Sequence, residues 1–183
     1  MGAILNFTAT PAQVYVRVEI TDEDRRRAAA RAPDRVTTAA ANRFGSEVGR
    51  IAIGYLGEEI VARWLGVPIA DDPEYDMIYN GMKVEVKTIG PCKFRPPPDF
   101  LATVNSPLPE GMRPQTASIY VFTRVHDSYE KAWLVGWARC ATFFLRGTYY
   151  PKGSTVAGVN LKKANATVLP IYELNPMTAL KGE

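Results

Sequence analysis

Hydrophobic and polar positions divide this chain into segments of two periods. Residues 12–20 alternate, with Val14, Val16 and Val18 on one side, which predicts a short strand. Thr21 then precedes Asp22, Glu23 and Asp24. A hydroxyl followed by acids caps a helix and suits its positive end. That helix carries Arg25, Arg26, Arg27 and Arg31 and should end before Pro33; a second helical start lies near Asp34. From Ser46 to Leu65 the period is helical. Ile53, Leu56, Ile60 and Trp64 recur at spacings of three and four, making one stripe to bury. Gly54 and Gly57 each weaken that helix by up to ~1 kcal/mol relative to Ala. They point to close packing, close ligand approach or a kink. Gly66 and Pro68 stop the helix.

Beyond it the period changes to two. Residues 74–88 form a predicted hairpin. Residues 90–114, with Pro96, Pro97 and Pro98, predict an irregular loop. Residues 117–125 and 131–138 are apolar and β-prone around an Asp127-Ser128 turn. Residues 140–146 suit a short helix, and 148–175 suit weak edge strands. The order of helices, hairpin and further strands predicts an α/β or α+β fold, a mixed β-sheet flanked by helices. A single domain over 1–183 is expected, with an N-terminal helical segment at about 21–45 and a core at about 46–175; no linker or repeat divides it.

Composition narrows the chemistry. No apolar run is long enough for a transmembrane helix, so no membrane partner is expected. The N-terminus lacks the pattern of a signal peptide, and Asn6 stands where a myristoylation signal wants Ser or Thr. Two distant cysteines, Cys92 and Cys140, exclude a disulfide framework and a cysteine-rich zinc site, and fit a cytoplasmic location. His126 is the only histidine, so metal chemistry that needs two histidines is excluded. His126 itself suits a strand-end surface position. Any divalent ion here needs carboxylate and carbonyl oxygens, which favours Mg²⁺, with Mn²⁺ as the other choice. A net charge of +3 is compatible with a nucleic-acid partner without establishing one.

The hairpin carries the chemistry. Asn80-Gly81 is the strongest short signal for a two-residue type I′ turn. With that pair at the tip, Tyr79 faces Met82, Ile78 faces Lys83, Met77 faces Val84 and Asp76 faces Glu85. Directly opposed side chains sit ~4.5–5.5 Å apart at Cβ. Two carboxylates at ~5 Å repel by roughly 3 kcal/mol at an effective dielectric of about 20. A divalent cation turns that repulsion into binding. Lys87 lies on the face of Glu85, while Tyr75, Met77, Val84 and Val86 take the buried face. The carbonyl of Val86 supplies a further oxygen for a metal.

Asp76…Glu85-Val86-Lys87 resembles the D…E-x-K core of the PD-(D/E)XK nuclease superfamily, which includes restriction enzymes, junction resolvases and repair nucleases. Gly57-Glu58 resembles the Gly-Glu pair of that family's flanking helix. The likeness covers roughly residues 45–140 and departs in one respect: Pro73 lies three residues before Asp76 instead of adjoining it. The resemblance implies a restriction-endonuclease-like core and Mg²⁺-dependent hydrolysis of DNA, with cutting at internal bonds expected. It implies Asp76, Glu85, Glu58 and the Val86 carbonyl as metal ligands and Lys87 as the group assisting the attacking water. A catalytically inactive nucleic-acid-binding or assembly module of the same fold is the alternative. A homodimer is an expectation by analogy with nucleases that cut both strands.

Other residues are weighed around this centre. Glu58 shares a helical face with Val61 and Leu65; Glu59 lies about 100° away and suits solvent, and Glu47 returns to nearly the face of Glu58. Lys93, Arg95, Arg113, Arg43 and Arg50 are candidates for phosphate contact, equally well read as solvated cations. Phe94 and Phe100 suit packing of the loop better than stacking on bases. Thr88 is a candidate hydrogen-bond donor near the scissile phosphate. The arginines at 25–27 suit a solvated helix face.

Overall fold

The computed structural model describes residues 15–32, 47–70, 72–97, 100–105, 116–156, 159–160 and 165–182, with 47–51 and 159–160 described in their backbone only. The expected helical start near Asp34, the strand position Val14, the candidates Arg43 and Arg113, and the side chains of Glu47 and Arg50 lie outside the described residues.

Strand β1 is Val16–Glu19 and helix α1 is Asp22–Arg31. The Thr21 hydroxyl accepts from the Asp24 N–H, and the Asp24 carboxylate accepts from the Thr21 N–H, closing a reciprocal capping box. Helix α2 is Glu47–Leu65. Its Ile53, Leu56 and Ile60 are buried as the stripe predicts, whereas Trp64 is half-buried with the Lys181 ammonium over its ring. Asp24 locks the two helices together: its buried carboxylate receives two hydrogen bonds from Arg63, each 3.0 Å. Arg25 departs from the solvated face expected of it. It donates to the carbonyls of Ile20 and Tyr129, while Arg26 and Arg27 pair with Glu23 at the surface.

Strands β2 (Met77–Tyr79) and β3 (Met82–Cys92) form the hairpin in the predicted register. Asn80 and Gly81 both take positive φ, 48° and 75°, as a type I′ turn requires. Strand β4 is Leu101–Asn105, β5 is Ile119–His126, β6 is Lys131–Arg139 and helix α3 is Cys140–Arg146. Short strands β7 (Thr148–Tyr150), β8 (Thr155–Val156) and β9 (Val159–Asn160) lead to β10 (Ala166–Pro170) and the small helix α4 (Met177–Leu180). The main sheet has the order β1-β6-β5-β3-β2, antiparallel throughout except for the parallel pair β3–β5. It is therefore a mixed sheet flanked by helices, as expected.

Two expectations fail. Residues 90–114 are not wholly irregular, because β3 runs on to Cys92 and β4 follows. In the tail, β10 is the middle strand of a second sheet, β4-β10-β7, and four of its five residues are buried. Proline punctuation hid β4, and β10 is too short for its period to stand out.

The main sheet buries both faces. On one side Val84, Val86, Ile119 and Val121 pack against Ile53, Leu56 and Ile60 of α2. On the other, Tyr120, Phe122 and Val135 meet Phe143 of α3 and Val104 and Leu169 of the second sheet. Strand β5, buried from Ile119 to Val125, runs between the two cores. Gly57 sets the spacing of helix and sheet: a Cβ there would stand 1.9 Å from Thr88 Oγ1 and 2.9 Å from Thr123 Oγ1. Gly54 has nothing within 4 Å of such an atom, so the close-packing explanation holds for Gly57 alone.

The two glycines should respond oppositely to alanine. Gly57→Ala must force α2 from the sheet and should cost about 1–3 kcal/mol, partly restored by Thr88→Ala. Gly54→Ala fills open space in a helix and should gain up to ~1 kcal/mol. Urea unfolding of the three variants measures this; equal effects at 54 and 57 would contradict the packing argument.

Candidate active site

Strand β2 is three residues long and its partner β3 is eleven. Beyond Val84, then, the β2-side edge of β3 has no ladder partner in β2, and its backbone groups need others. Asp76 supplies the first. Its Oδ2 accepts the Val86 N–H at 2.6 Å, its own N–H donates to the Val84 carbonyl at 2.8 Å, and its carbonyl accepts the Ala70 N–H at 2.7 Å. Three anchors thus hold Asp76 against the edge of β3.

This corrects the expected pairing of Asp76 with Glu85. The ladder ends at Met77–Val84, and the Asp76 carboxylate turns into the strand edge instead of standing opposite Glu85 on one face. A backbone N–H left without a strand partner is a stronger claim on the carboxylate than ladder continuation beside a like charge. The acids nevertheless remain electrostatic neighbours. Burial, followed by the charges of Glu58 and Glu85, pushes the Asp76 carboxyl up to about 7; the Val86 N–H and the Lys87 ammonium oppose this.

Glu85 and Lys87 share a face, as expected, and form an ion pair at 2.5 Å. That face looks away from α2: the Lys87 ammonium lies 5.8 Å from the ring centre of buried Tyr120. Met77, Val84 and Val86 fill the α2 side. Tyr75 does not join them; it stays half-buried under the Lys83 ammonium.

Glu58 reaches this edge from α2. Its side chain is 13% exposed, and Oε2 lies 2.6 Å from Arg31 of α1. That ion pair with Arg31 is the contact Oε2 makes at this edge. Burial raises the Glu58 carboxyl above the usual carboxylate range; Arg31 opposes this, and Glu85 and Glu59 add to it. Glu59 is not solvated as expected. It is 7% exposed, its carboxyl is also raised by burial, and Arg31 stands 3.6 Å away. The cause is α1, which covers that side of α2 and could not be placed from the period of α2 alone. The Gly57-Glu58 pair has a physical meaning here: the missing Cβ lets the helix backbone approach Thr88, and the next residue then lies beside the strand edge.

Val86 completes the edge. In a strand the N–H and carbonyl of one residue point to the same side, so the Val86 carbonyl opens toward Asp76. Of the remaining candidates, Thr88 faces away from Lys87, under Gly57 and hydrogen-bonded by Thr123 at 2.9 Å. It is a packing residue, because its even position puts it on the α2 face. Lys93 and Arg95 are exposed, but Lys93 lies six residues past Lys87, roughly 20 Å at the rise of a strand. Arg95 stacks on Tyr15. His126 stands at the end of β5 as expected, bonded to Ser128 and the Lys93 carbonyl.

Sequence reasoning missed Arg31, whose role depends on how α1 docks. Among the described residues, no three His, Cys, Asp or Glu side chains are arranged to close around one ion, and none of the helices is long and apolar enough to cross a membrane. Comparison with family models, curated proteins and solved structures gave no match for this chain.

The raised Asp76 carboxyl makes stability depend on pH. A folded value of about 7 above an ordinary 3.8 means a contribution fully present below 3.8 and lost as pH rises through 7. Glu58 and Glu59, also raised, act in the same direction. Asp24 acts oppositely, since Arg63 and Thr21 outweigh its burial and lower it, but its window lies below 3.8. In EDTA, the unfolding free energy from urea titration should fall between about pH 5 and about pH 8, by an amount on the order of a few kcal/mol. Asp76→Asn, which keeps an acceptor for Val86, should remove much of that fall. Parallel pH profiles for the two proteins would refute the assignment.

Proposed function

We propose that this chain is a metal-dependent nuclease that hydrolyses phosphodiester bonds of DNA, with a restriction-endonuclease-like core and internal cutting. The observation that carries the proposal is the Asp76 carboxylate, pinned on the Val86 N–H and raised to about 7 in the company of Glu58 and Glu85, with Lys87 alongside. Repulsion among buried acids is what a divalent cation relieves. The likeness of Asp76…Glu85-Val86-Lys87 and Gly57-Glu58 to the PD-(D/E)XK motif supports the same conclusion.

The donor set suits Mg²⁺ or Mn²⁺. It is all oxygen: the carboxylates of Asp76, Glu85 and Glu58 and the carbonyl of Val86; among the described residues the three carboxylates are not closed around one point and would have to converge on the ion. Oε2 of Glu58 faces the Arg31 guanidinium at 2.6 Å, so a divalent cation there would compete with Arg31 for it. When bound, such an ion polarises a phosphoryl oxygen and lowers the pKa of water. The chain's own residues have distinct tasks. Asp76 must lose its proton, which favours pH above 7. Lys87 must leave Glu85, and its ammonium can then orient the attacking water or neutralise charge growing on phosphate. The Val86 N–H fixes the direction of Asp76 throughout.

A second possibility is a non-catalytic nucleic-acid-binding or assembly module, and one observation favours it. Arg31 and Lys87 already stand beside Glu58 and Glu85, so two of the acids have internal cations. A homodimer is compatible with either.

Plasmid nicking decides between them. Cutting should require Mg²⁺ or Mn²⁺, stop in EDTA, and fall by roughly 10²-fold or more in Lys87→Ala and Asp76→Asn. Calorimetric metal affinity should rise with pH up to about 7, as the proton on Asp76 ceases to compete. Metal uptake without cutting of duplex, single-stranded or branched DNA would favour the module; absence of both would end the nuclease proposal.

A further inference from the structure

On the face of the main sheet opposite α2, Arg124 is a buried cation without an anion. It is 6% exposed, and among the described residues no carboxylate pairs with it. Its Nε is buried and has no hydrogen-bond partner. Its guanidinium carbon lies 3.4 Å from the ring centre of Phe100. Burial pushes the group down to about 10, opposed only by the Cys92 thiol, so it is still charged at neutral pH. Burying a charge is costly unless it is paired and hydrogen-bonded. A cation–π contact returns only part of that cost.

The position of Arg124 suggests what would pair with it. In the parallel register Lys87 lies beside Phe122 and Ile89 beside Arg124, and Arg124 follows Phe122 by two on the same face. Lys87 and Arg124 therefore stand one pleat apart and line one small cavity, together with Ile89 and Phe100. The space between them is about 10 Å³, enough for a water-sized group, so a larger anion must displace the Phe100 ring. An oxyanion offers the guanidinium charge-assisted hydrogen bonds, stronger than the ring contact it replaces.

We infer that Arg124, with Lys87 beside it, forms a phosphate-binding subsite that takes a phosphate group of the nucleic acid. The identity of the polymer rests on the nuclease proposal; the anion site rests on Arg124 alone. The phosphate is either a diester of the strand or a terminal monoester, and both present the same oxygens.

Calorimetric titration of the full chain with inorganic phosphate in EDTA tests this apart from metal and cleavage. Wild type should show saturable one-site uptake. Arg124→Met should weaken it by roughly tenfold or more, the equivalent of one charge-assisted hydrogen bond, and Arg124→Lys should lie between. Arg124→Met should melt no lower than wild type, because an apolar side chain replaces an unpaired buried cation; if it fails to fold, Arg124→Lys carries the comparison. Oligonucleotides with and without a 5′-phosphate then compete against phosphate. Competition only by the phosphorylated strand identifies a terminal group, and competition by both identifies the backbone. No saturable uptake, uptake unchanged in both Arg124 variants, or competition by neither strand overturns the inference. Phosphate binding that persists in a protein unable to cut would leave the subsite standing while the nuclease proposal falls.

Discussion

The arrangement of this molecule turns on a mismatch in length between two hydrogen-bonded strands. Strand β3 continues far beyond the end of β2, and backbone N–H groups at an uncovered edge need acceptors. Asp76 meets the first of these at Val86. Because that acceptor is a carboxylate, the edge acquires a negative charge at the place where α2 brings Glu58 and β3 carries Glu85. The acidic cluster is thus a consequence of where the hairpin stops. Continuing β2 by two residues would pair the Val86 N–H with backbone and remove the reason for Asp76 to turn inward.

Helix α2 can contribute only because it lies close. Gly57 lets its backbone rest on Thr88 and Thr123, and the adjacent Glu58 is then half-buried at the sheet edge. Helix α1 is tied to α2 by the bonds between Asp24 and Arg63, and through that docking Arg31 reaches Glu58 and Glu59. A capping box at one end of α1 and an ion pair at the other therefore both bear on the charge of the candidate site.

Much of this was legible in sequence where local chemistry decides structure. Asn80-Gly81 specified the turn and with it three ladder pairs, and Thr21 with Asp24 specified the start of α1. The shared face of Glu85 and Lys87 followed from the period of a strand. What sequence could not supply was tertiary. The opposition of Asp76 and Glu85 assumed that the ladder would continue, whereas an unpaired N–H redirected the carboxylate. Glu59 looked solvated until α1 covered it, and Thr88 looked available for phosphate until α2 lay on it. Arg124 drew no notice because a lone arginine in an apolar strand has no local signature; only two packed layers show that it is buried, with no carboxylate paired to it among the described residues.

The two faces of β3 and β5 divide the work between them. On the α2 side, Val84, Val86, Val121 and the Thr88–Thr123 pair fix the helix, and any gain in volume there moves Glu58. On the other side, Glu85 and Lys87 stand next to Tyr120 and Phe122, with Arg124 one pleat on. The side facing the second sheet therefore carries Arg124 in a low-dielectric setting, where its field is strong and poorly screened, and next to it Lys87 paired with Glu85. The uncovered edge between the faces carries Asp76 and the approach of Glu58. Lys87, half-buried, stands at the boundary between this buried face and that acidic edge. That placement sets Lys87 beside the acids of the edge, whereas Lys93 and Arg95 lie beyond Cys92.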